Sequence, residues 1–589
     1  MEHNELVQLC EQKAKAWLAG NYNEQTKTQV RQMLENEDKT LLIDSFYQDL
    51  EFGTGGLRGI MGAGSNRMNI YTVGAATQGL ANYLKAQFAD IEQISVVVGY
   101  DCRNNSQYFA GIVANIFAAN GIKVYLFENL RPTPEISFAI RHFKCQSGVM
   151  ITASHNPKEY NGYKAYWNDG AQFIAPHDTN VIDEVNKITN IDDIRFGGEE
   201  KSEKHNHAEI EIIGEDIDKI FLENVKKLSL SPDAIKRNSD LKIVYSPIHG
   251  CGRVLIPRVL NELGFTNVIT VPEQMVQSGD FPTVASPNPE EPAALELAIK
   301  KAQSVDADIA MASDPDADRL GITVKNTEGE WILINGNQTF MIFIYYLLTK
   351  WKENGKLSGN EYIVKTIVTT EIIKDIAEKF GVEMFDCYTG FKWIAAIMRE
   401  NEGKKAYIGG GEESYGLLAE TFCRDKDAVS ACALMAEITA WAKDNGKTWH
   451  QMLQDVYIEF GYSKEKGISV VRKGQSGAAE IKQMMTDYRQ KPPTEIAGSG
   501  VLKIKDFQTL KQKNILENTE TDLEMPTTSN VLQFFTEDGT KISVRPSGTE
   551  PKIKFYIEVR DKLKNREDFE ATEKRAEQKI QAVTGSLGI

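Results

Sequence analysis

The chain has 589 residues, and at about 150 residues per domain it is long enough for about four domains. Hydrophobic residues make up 41% and charged residues 25%, proportions that exclude fibrous and disordered classes. The 83 acidic residues exceed the 67 basic residues by 16, so the surface is expected to repel nucleic acids and anionic membranes. An anionic ligand therefore needs a local basic pocket.

No segment predicts a membrane span or a secretory signal. The longest apolar run covers the nine residues 340–348, whereas a span needs about 20. The N-terminus lacks the basic start and apolar centre of a signal peptide. Seven cysteines are scattered without CxxC spacing, which argues against a disulfide framework or a structural zinc site. We expect a cytoplasmic protein.

The order of predicted elements suggests four domains. Apolar positions at helical spacing predict a helical lead-in up to about residue 50. Three segments, 94–127, 241–271 and 362–385, each predict a strand–helix–strand unit, and the charged segment 197–207 predicts a solvated loop. A helix over 478–489, a strand over 501–505, a hairpin turn at 537–540 and a charged helix over 566–583 follow. We predict three α/β domains and a C-terminal α+β domain, with bounds 1–228, 229–333, 334–456 and 457–589.

The first chemical motif is Thr-Ala-Ser-His-Asn-Pro at residues 152–157, directly after an apolar stretch. On a tight turn, backbone N–H groups around Ser154 can hold phosphate oxygens, so this serine can accept a phosphoryl group. The alternative is a plain turn in which Ser154 and His155 act only as caps. A serine hydrolase is less favoured, because adjacent side chains on an extended chain point in opposite directions and no GxSxG motif is present.

The second motif is Asp-Pro-Asp-Ala-Asp-Arg at residues 314–319. Asp314, Asp316 and Asp318 can converge on Mg²⁺, which prefers oxygen ligands, and this is favoured over a solvated turn. An EF-hand is excluded because its sixth and twelfth positions are here Arg319 and Lys325. Arg319 can help to hold a phosphoryl group.

Two further loops carry polar groups between glycines. Residues 409–416 (Gly-Gly-Gly-Glu-Glu-Ser-Tyr-Gly) offer Glu412 and Ser414 as partners for sugar hydroxyls, although a bare turn explains them equally well. Residues 545–552 (Arg-Pro-Ser-Gly-Thr-Glu-Pro-Lys) suit a phosphate cradle built on Arg545.

Two glycine-containing segments fail the nucleotide-binding patterns that they resemble. Residues 52–59 fail the dinucleotide fingerprint because Arg58 replaces its third glycine, and we predict a flexible anion-binding loop that carries Arg58. Residues 446–448 fail the P-loop pattern because position 441 is tryptophan.

Taken in this order, the serine turn, aspartate triplet, sugar loop and phosphate cradle resemble the α-D-phosphohexomutase superfamily between about residues 54 and 556. The amino-acid sequences at 161–164, 246–250, 314–319 and 389–393 resemble those of the longer phosphoglucomutase group, which includes phosphopentomutases. The resemblance implies a heart-shaped fold of three related α/β domains and one α+β domain, with the active site in the central cleft.

The resemblance also implies roles for individual residues. Ser154 would carry the phosphoryl group and would hold Mg²⁺ together with Asp314, Asp316 and Asp318. Lys164 would be the general acid/base, and Arg58 and Arg319 would lower its pKa if they lie close to it. His155 is counted with this catalytic set. The implied sugar ligands are Lys392, Glu412 and Ser414, and the implied ligands of the non-transferring phosphate are Arg545, Ser547, Gly548 and Thr549.

The implied activity is interconversion of glucose 1-phosphate and glucose 6-phosphate through a phosphoserine and glucose 1,6-bisphosphate, with that bisphosphate as activator. The alternatives are a phosphopentomutase acting on ribose or deoxyribose phosphates, a hydrolase or sugar-bisphosphate synthase, and a non-catalytic sensor. The expected partner is a small sugar phosphate, with neither nucleic acid nor membrane, and the oligomeric state is not predicted.

Overall fold

The computed structural model describes residues 3–53, 55–197, 209–419, 421–472, 474–547 and 552–589. From position 198 onward the predicted solvated loop lies outside the described residues, and so do Gly548 and Thr549 of the predicted phosphate cradle. Within the described ranges, no helix combines the length and the apolar character needed to cross a bilayer.

The chain begins with the predicted helical lead-in. Its helices are α1 (His3–Ala19), α2 (Glu24–Glu35) and α3 (Thr40–Phe46). The side chain of Asn23 caps α2 by accepting a hydrogen bond from the Thr26 N–H. Trp17 and Tyr22 pack against the ring of Tyr71, with centroid distances of 5.8 and 4.6 Å, and so join the lead-in to the first domain.

The first sheet has six strands in the order β1-β5-β4-β2-β3-β6. They are β1 (Gly56–Ile60), β2 (Ser95–Tyr100), β3 (Lys123–Phe127), β4 (Ser147–Ile151), β5 (Tyr160–Trp167) and β6 (Ile210–Ile213). The accompanying helices are α4 (Ile70–Gln87), α5 (Ser106–Ala119), α6 (Thr133–Phe143) and α7 (His177–Asn186), with a 3₁₀ turn at Ile191–Asp193. Strands β2 and β3 are parallel, which confirms the first predicted strand–helix–strand unit.

The second sheet has the order β11-β10-β9-β7-β8. Its strands are β7 (Lys242–Ser246), β8 (Asn267–Thr270), β9 (Ile309–Ser313), β10 (Leu320–Lys325) and β11 (Trp331–Ile334). The helices of this region are α8 (Glu215–Lys226), α9 (Pro232–Arg237), α10 (Gly252–Leu263), α11 (Pro272–Met275) and α12 (Pro292–Val305). Strands β7 and β8 are parallel, which confirms the predicted strand–helix–strand unit at 241–271.

The third sheet has the order β13-β12-β14-β15. Its strands are β12 (Glu361–Thr366), β13 (Glu383–Cys387), β14 (Ala406–Glu412) and β15 (Gly416–Leu418). The helices are α13 (Gly336–Glu353), α14 (Ile372–Phe380), α15 (Phe391–Asn401), α16 (Ala428–Asp444) and α17 (Trp449–Phe460). Strands β12 and β13 are parallel, so the third unit is confirmed as well.

The fourth sheet is antiparallel and follows the order β16-β23-β22-β21-β18-β19-β20, with β17 paired to β18 outside this path. Its strands are β16 (Tyr462–Val471), β17 (Glu495–Ile496), β18 (Ser499–Asp506), β19 (Lys511–Asn514), β20 (Thr519–Asp522), β21 (Leu532–Thr536), β22 (Lys541–Pro546) and β23 (Lys552–Asp561). Helices α18 (Gly474–Gln490) and α19 (Phe569–Leu587) accompany it, with a 3₁₀ turn at Arg566–Asp568. The predicted α+β layout and the hairpin at 537–540 are confirmed.

The four sheets lie in chain order, but the predicted domain boundaries stay predictions. Strand β11 ends at Ile334, one residue beyond the predicted bound at 333.

The segment that carries Arg58 is a strand rather than the predicted flexible loop. Arg58 lies in β1 and pairs in register with Gly162 of β5. Gly56 has φ +117°, and a Cβ built there would lie 1.7 Å from the carbonyl oxygen of Tyr163. The glycines therefore allow β1 to approach β5 closely, which the sequence pattern did not distinguish from loop flexibility.

Strand order brings the motif loops to the ends of buried strands. Every residue of β4 and of β9 is buried, which explains the apolar runs at residues 148–151 and 309–312. Ser154 follows β4, Asp314 follows β9, and Glu412 is the last residue of β14. Ligands of α/β sheets bind at the carboxyl ends of such strands, so these loops are placed for a shared site.

A buried carboxylate ties the connection between the first two sheets to the third. Glu437 on α16 is 1% exposed and accepts hydrogen bonds from the backbone N–H groups of Leu230 and Ser231, at 2.7 and 3.0 Å. The hydroxyl groups of Ser229 and Tyr346 also donate to it. One side chain therefore satisfies four donors from two other parts of the chain.

Replacing this carboxylate is expected to destabilise the fold. Glu437→Ala leaves buried donors without an acceptor, so the free energy of unfolding should fall by about 3 kcal/mol in denaturant titration. Glu437→Gln keeps one acceptor oxygen and should lose less. The control Glu378→Ala, on the exposed face of α14, should change stability by no more than about 0.5 kcal/mol. Equal effects at the two positions would contradict this account.

Candidate active site

Ser154 occupies a tight turn after β4 and is 3% exposed. Its φ of +51° is in the left-handed region, and its Oγ lies 2.7 Å from Asp314 Oδ2 and 3.1 Å from His155 Nδ1. The expectation that the Ser154 and His155 side chains point apart is therefore wrong. It assumed an extended backbone, whereas the left-handed turn brings the two side chains together.

The side chain of Arg103 is hydrogen-bonded to the backbone of this turn. Its guanidinium donates to the carbonyl oxygens of Ser154 and Asn156, both at 2.5 Å, and to those of Pro157 and Tyr160, at 2.9 and 3.1 Å. Arg103 is 3% exposed and lies within 3.3 Å of Asp101 Oδ2. The sequence analysis missed this residue, and its position directly beyond the carboxyl end of β2 was the available signal.

The aspartate triplet forms a compact buried cluster. Asp314, Asp316 and Asp318 each offer a carboxylate oxygen, and these atoms lie within 4.8 Å of one another. Within the described parts of the chain, Asp316 Oδ1 and Asp318 Oδ1 are buried without a hydrogen-bond partner. Burial and the two neighbouring carboxylates raise the pKa of Asp314 well above its usual range. Buried, partnerless carboxylate oxygens are the donor set that a hard divalent cation such as Mg²⁺ prefers, so the residues fit that ion.

Lys164 on β5 contacts the same cluster. Its Nζ lies 2.7 Å from Asp316 Oδ2 and 2.9 Å from Asp318 Oδ2. Burial acts to lower the pKa of Lys164, but the two carboxylates outweigh it and raise the pKa. The expected lowering by the two arginines is therefore wrong, because the aspartates lie closer to the amine than the sequence could indicate.

Lys426 is a second buried lysine beside the triplet. It is 7% exposed, and its Nζ lies 3.1 Å from Asp318 Oδ2 and 3.2 Å from Asp425 Oδ1. The sequence analysis missed Lys426 because Arg-Asp-Lys-Asp at 424–427 has the composition of a solvated turn. The apolar helix α16 that follows directly was the available signal that this segment is buried.

A cavity of about 250 Å³ brings the predicted catalytic residues together. Its walls include the five predicted catalytic residues and the newly found lysine: Arg58, Ser154, His155, Lys164, Arg319 and Lys426. Burial lowers the pKa of His155 to about 2, and the two arginines act in the same direction, so its imidazole is neutral. Arginine and lysine side chains thus surround the hydroxyl of Ser154, as a phosphate site requires.

The predicted sugar ligands lie at the edge of the third sheet. Burial raises the pKa of Glu412 to about 7, while the charges of Lys426 and Arg319, two cations of the serine cavity, oppose this shift. Ser414 lines a second cavity of about 320 Å³ against the fourth sheet. Lys392 is in the first turn of α15 and is not among the described residues that line either cavity.

Two of the four predicted phosphate ligands, Arg545 and Ser547, are among the described residues. Arg545 is in β22 and pairs in register with Lys554 of β23. The guanidinium of Arg545 is close enough to Tyr556 and Glu413 to oppose the upward pKa shift that burial causes in each. Ser547 follows β22 and donates its backbone N–H to the Lys552 carbonyl oxygen at 2.8 Å.

Family models match four parts of the chain. Those of phosphoglucomutase/phosphomannomutase alpha/beta/alpha domains I, II and III match residues 49–192, 219–329 and 335–460. The model of the phosphoglucomutase/phosphomannomutase C-terminal domain matches residues 490–576. Together the four models cover well over half of the chain.

Individual relatives agree with the family models. A phosphoglucomutase from Staphylococcus haemolyticus is 35% identical over 90% of this chain and 94% of that protein. A mouse phosphopentomutase is 32% identical over 93% of this chain and 90% of that protein. In fold, the chain is similar to the open form of Paramecium parafusin, a phosphoglucomutase, with a TM-score of 0.66 and 18% identity over 92% and 96% of the two chains. The chain therefore belongs to the phosphoglucomutase/phosphomannomutase family of α-D-phosphohexomutases and is an isomerase that transfers a phosphoryl group.

Proposed function

We propose that this enzyme interconverts glucose 1-phosphate and glucose 6-phosphate, with Ser154 as the phosphorylated residue. The observation that carries the proposal is the contact of 2.7 Å between Ser154 Oγ and Asp314 Oδ2 in a cavity lined by four cationic side chains. The proposal includes glucose 1,6-bisphosphate as intermediate and activator, and a cytoplasmic location.

The reaction must bring two phosphate-bearing groups together. A dianionic phosphoserine and a dianionic sugar phosphate repel each other, and Arg58, Arg319 and Lys426 offset that charge around Ser154. Mg²⁺ held by Asp314, Asp316, Asp318 and the Ser154 phosphate would supply further charge neutralisation.

Each half-reaction moves one phosphoryl group and one proton. In the first, the bond between phosphorus and Ser154 Oγ breaks while a new bond forms to the 6-hydroxyl oxygen, whose proton goes to a general base. In the second, the 1-phosphoryl group returns to Ser154 and the sugar 1-oxygen gains a proton. Lys164, which lines the cavity, is the proposed acid/base group.

The bisphosphate must turn end over end between these steps. A distal site that accepts either phosphate allows this, and we assign that role to the cradle of the fourth sheet: Arg545, Ser547, Gly548 and Thr549. The sugar hydroxyls are assigned to Lys392, Glu412 and Ser414. Glu412 is supported by its closeness to Lys426 and Arg319 of the serine cavity.

A coupled assay that offers glucose 1-phosphate and ribose 1-phosphate in parallel tests the substrate class. With Mg²⁺ and a trace of glucose 1,6-bisphosphate present, glucose 1-phosphate should be converted faster. Faster conversion of ribose 1-phosphate would favour a phosphopentomutase, a candidate supported by the similarity to the mouse phosphopentomutase. Release of inorganic phosphate or of free bisphosphate would identify a hydrolase or a bisphosphate synthase.

Ser154→Ala removes the proposed phosphoryl acceptor and should abolish both turnover and covalent phosphate. The measurement is the coupled assay together with the mass of the intact protein after incubation with glucose 1,6-bisphosphate. The control Ser304→Ala, at an exposed serine of α12 outside both cavities, should keep turnover and should still become phosphorylated. Normal turnover in Ser154→Ala would overturn the assignment.

Arg103→Lys should lower kcat by about tenfold and leave KM within about twofold, because lysine cannot span the four carbonyl oxygens that hold the serine turn. The matched control is Arg67→Lys, another buried arginine of the same domain, whose Nε donates to Ser45 Oγ. Thermal unfolding of both variants measures any loss of stability. Equal losses of kcat in the two variants would contradict a positioning role for Arg103.

A further inference from the structure

A cavity of about 900 Å³ lies where the second, third and fourth sheets meet. One wall is the β10–β11 hairpin at residues 326–333, and a second comes from helix α17. Strand β16 and the start of α19 complete it. Ser154 and the aspartate triplet do not line this cavity, so it is separate from the candidate active site.

The cavity is strongly acidic. Among its described lining residues, six are glutamates, whereas Lys464 and Arg566 are the cations. Both cations already have carboxylate partners, since Lys464 Nζ lies 3.0 Å from Glu573 Oε1 and Arg566 Nη2 lies 2.6 Å from Asp455 Oδ1. The remaining carboxylates leave a negative potential that favours a cationic ligand.

Two buried polar atoms on α17 point to a ligand with hydrogen-bond donors. His450 is 3% exposed and Gln454 is 1% exposed, and both line the cavity. In the part of the chain that the structure describes, His450 Nδ1 and Gln454 Oε1 have no hydrogen-bond partner. His450 and Gln454 are four residues apart on one helix and therefore lie on the same face of it. A buried polar atom without a partner destabilises the protein, and a bound donor would offset that cost.

The spacing of the charges distinguishes an organic cation from a metal ion. Within the described residues, carboxylate oxygens converge closely enough to hold a metal ion at Asp314, Asp316 and Asp318, and the glutamates of this cavity form no such group. Scattered carboxylates suit an elongated ligand that carries several separate charges. Burial lowers the pKa of His450 although Glu328 and Glu573 oppose it, and a neutral ring leaves a nitrogen free to accept.

We propose that this cavity binds a small aliphatic polyamine. Its ammonium groups would pair with the glutamates and donate to His450 Nδ1 and Gln454 Oε1, while its methylene groups would lie along Leu453 and Phe569 of the wall.

The bound amine would bridge elements of three sheets close to the predicted sugar site. Asn335 and Glu465 line both this cavity and the neighbouring cavity that contains Ser414. Glu465 is fixed on β16 by the Ser463 hydroxyl, which donates to its Oε1 at 2.5 Å. A polyamine would therefore hold β16 against the start of α13. This places the ligand where it can bias the position of the fourth sheet, although binding itself does not depend on the proposed function.

Calorimetric titration of the full chain with spermidine, in a buffer that contains saturating Mg²⁺, tests the proposal. We expect saturable binding of one spermidine per chain and weaker binding of butylamine, which carries a single charge. Glu328→Gln/Glu330→Gln removes two charges from the hairpin wall and should weaken spermidine binding at least about tenfold. The control Glu517→Gln/Glu520→Gln removes two charges from the distant β19–β20 hairpin and should bind like the unmodified protein.

Gln454→Leu tests the hydrogen-bond acceptor without changing the charge. It should weaken spermidine binding about fivefold to tenfold, and thermal unfolding without ligand verifies that the variant is folded. Equal weakening in both double variants would show attraction to the acidic surface in general and would overturn the proposal. So would the absence of saturable binding, or unchanged affinity in Gln454→Leu.

Discussion

The balance of charge around the three buried aspartates is the constraint on which the site depends. The aspartates come from the second sheet, Lys164 comes from the first, and Lys426 follows the third. Each group would be costly to bury alone. Lys164 lies within 3 Å of Asp316 and Asp318, and Lys426 lies 3.1 Å from Asp318. Asp314 instead accepts hydrogen bonds from the backbone N–H groups of Asp318 and Arg319. The same contacts that neutralise the carboxylates therefore join three domains at one point.

The ion pairs of Lys164 and Lys426 with the aspartates also restrict how far the first three sheets can move apart. The lysines fix the first three sheets around Ser154, whereas the proposed phosphate cradle belongs to the antiparallel fourth sheet. That sheet contacts the region of the third sheet through Glu371, whose carboxylate pairs with Lys541 of β22 at 2.7 Å and whose backbone N–H donates to Glu558 of β23 at 2.9 Å. Tyr388, which follows β13, also packs in one apolar cluster with Phe507 and Val531 of the fourth-sheet region, so both polar and apolar contacts would adjust in the proposed reorientation of the bisphosphate.

Much of the fold was predictable because buried strands leave a clear pattern. The runs before Ser154 and Asp314 are apolar over residues 148–151 of β4 and 309–312 of β9, which are all buried, and the loops after them carry the chemistry. Arg58 was assigned to the wrong element because glycines permit loops and close strand packing alike. Arg103 and Lys426 were missed because they act through backbone carbonyls and distant carboxylates, which come together only in the folded chain.

The wrong prediction for Lys164 shows why the direction of a pKa shift cannot be inferred from the residues that a sequence motif groups together. The family pattern groups Lys164 with Arg58 and Arg319, and like charges alone would lower its pKa. In the fold, the Lys164 amine is within 3 Å of two carboxylates, and attraction at that distance outweighs burial and raises the pKa of Lys164. The lysine is thus held as a cation until something else neutralises the aspartates. A divalent cation at the triplet would do so, and in that way the metal site and the proposed acid/base group would act as one unit.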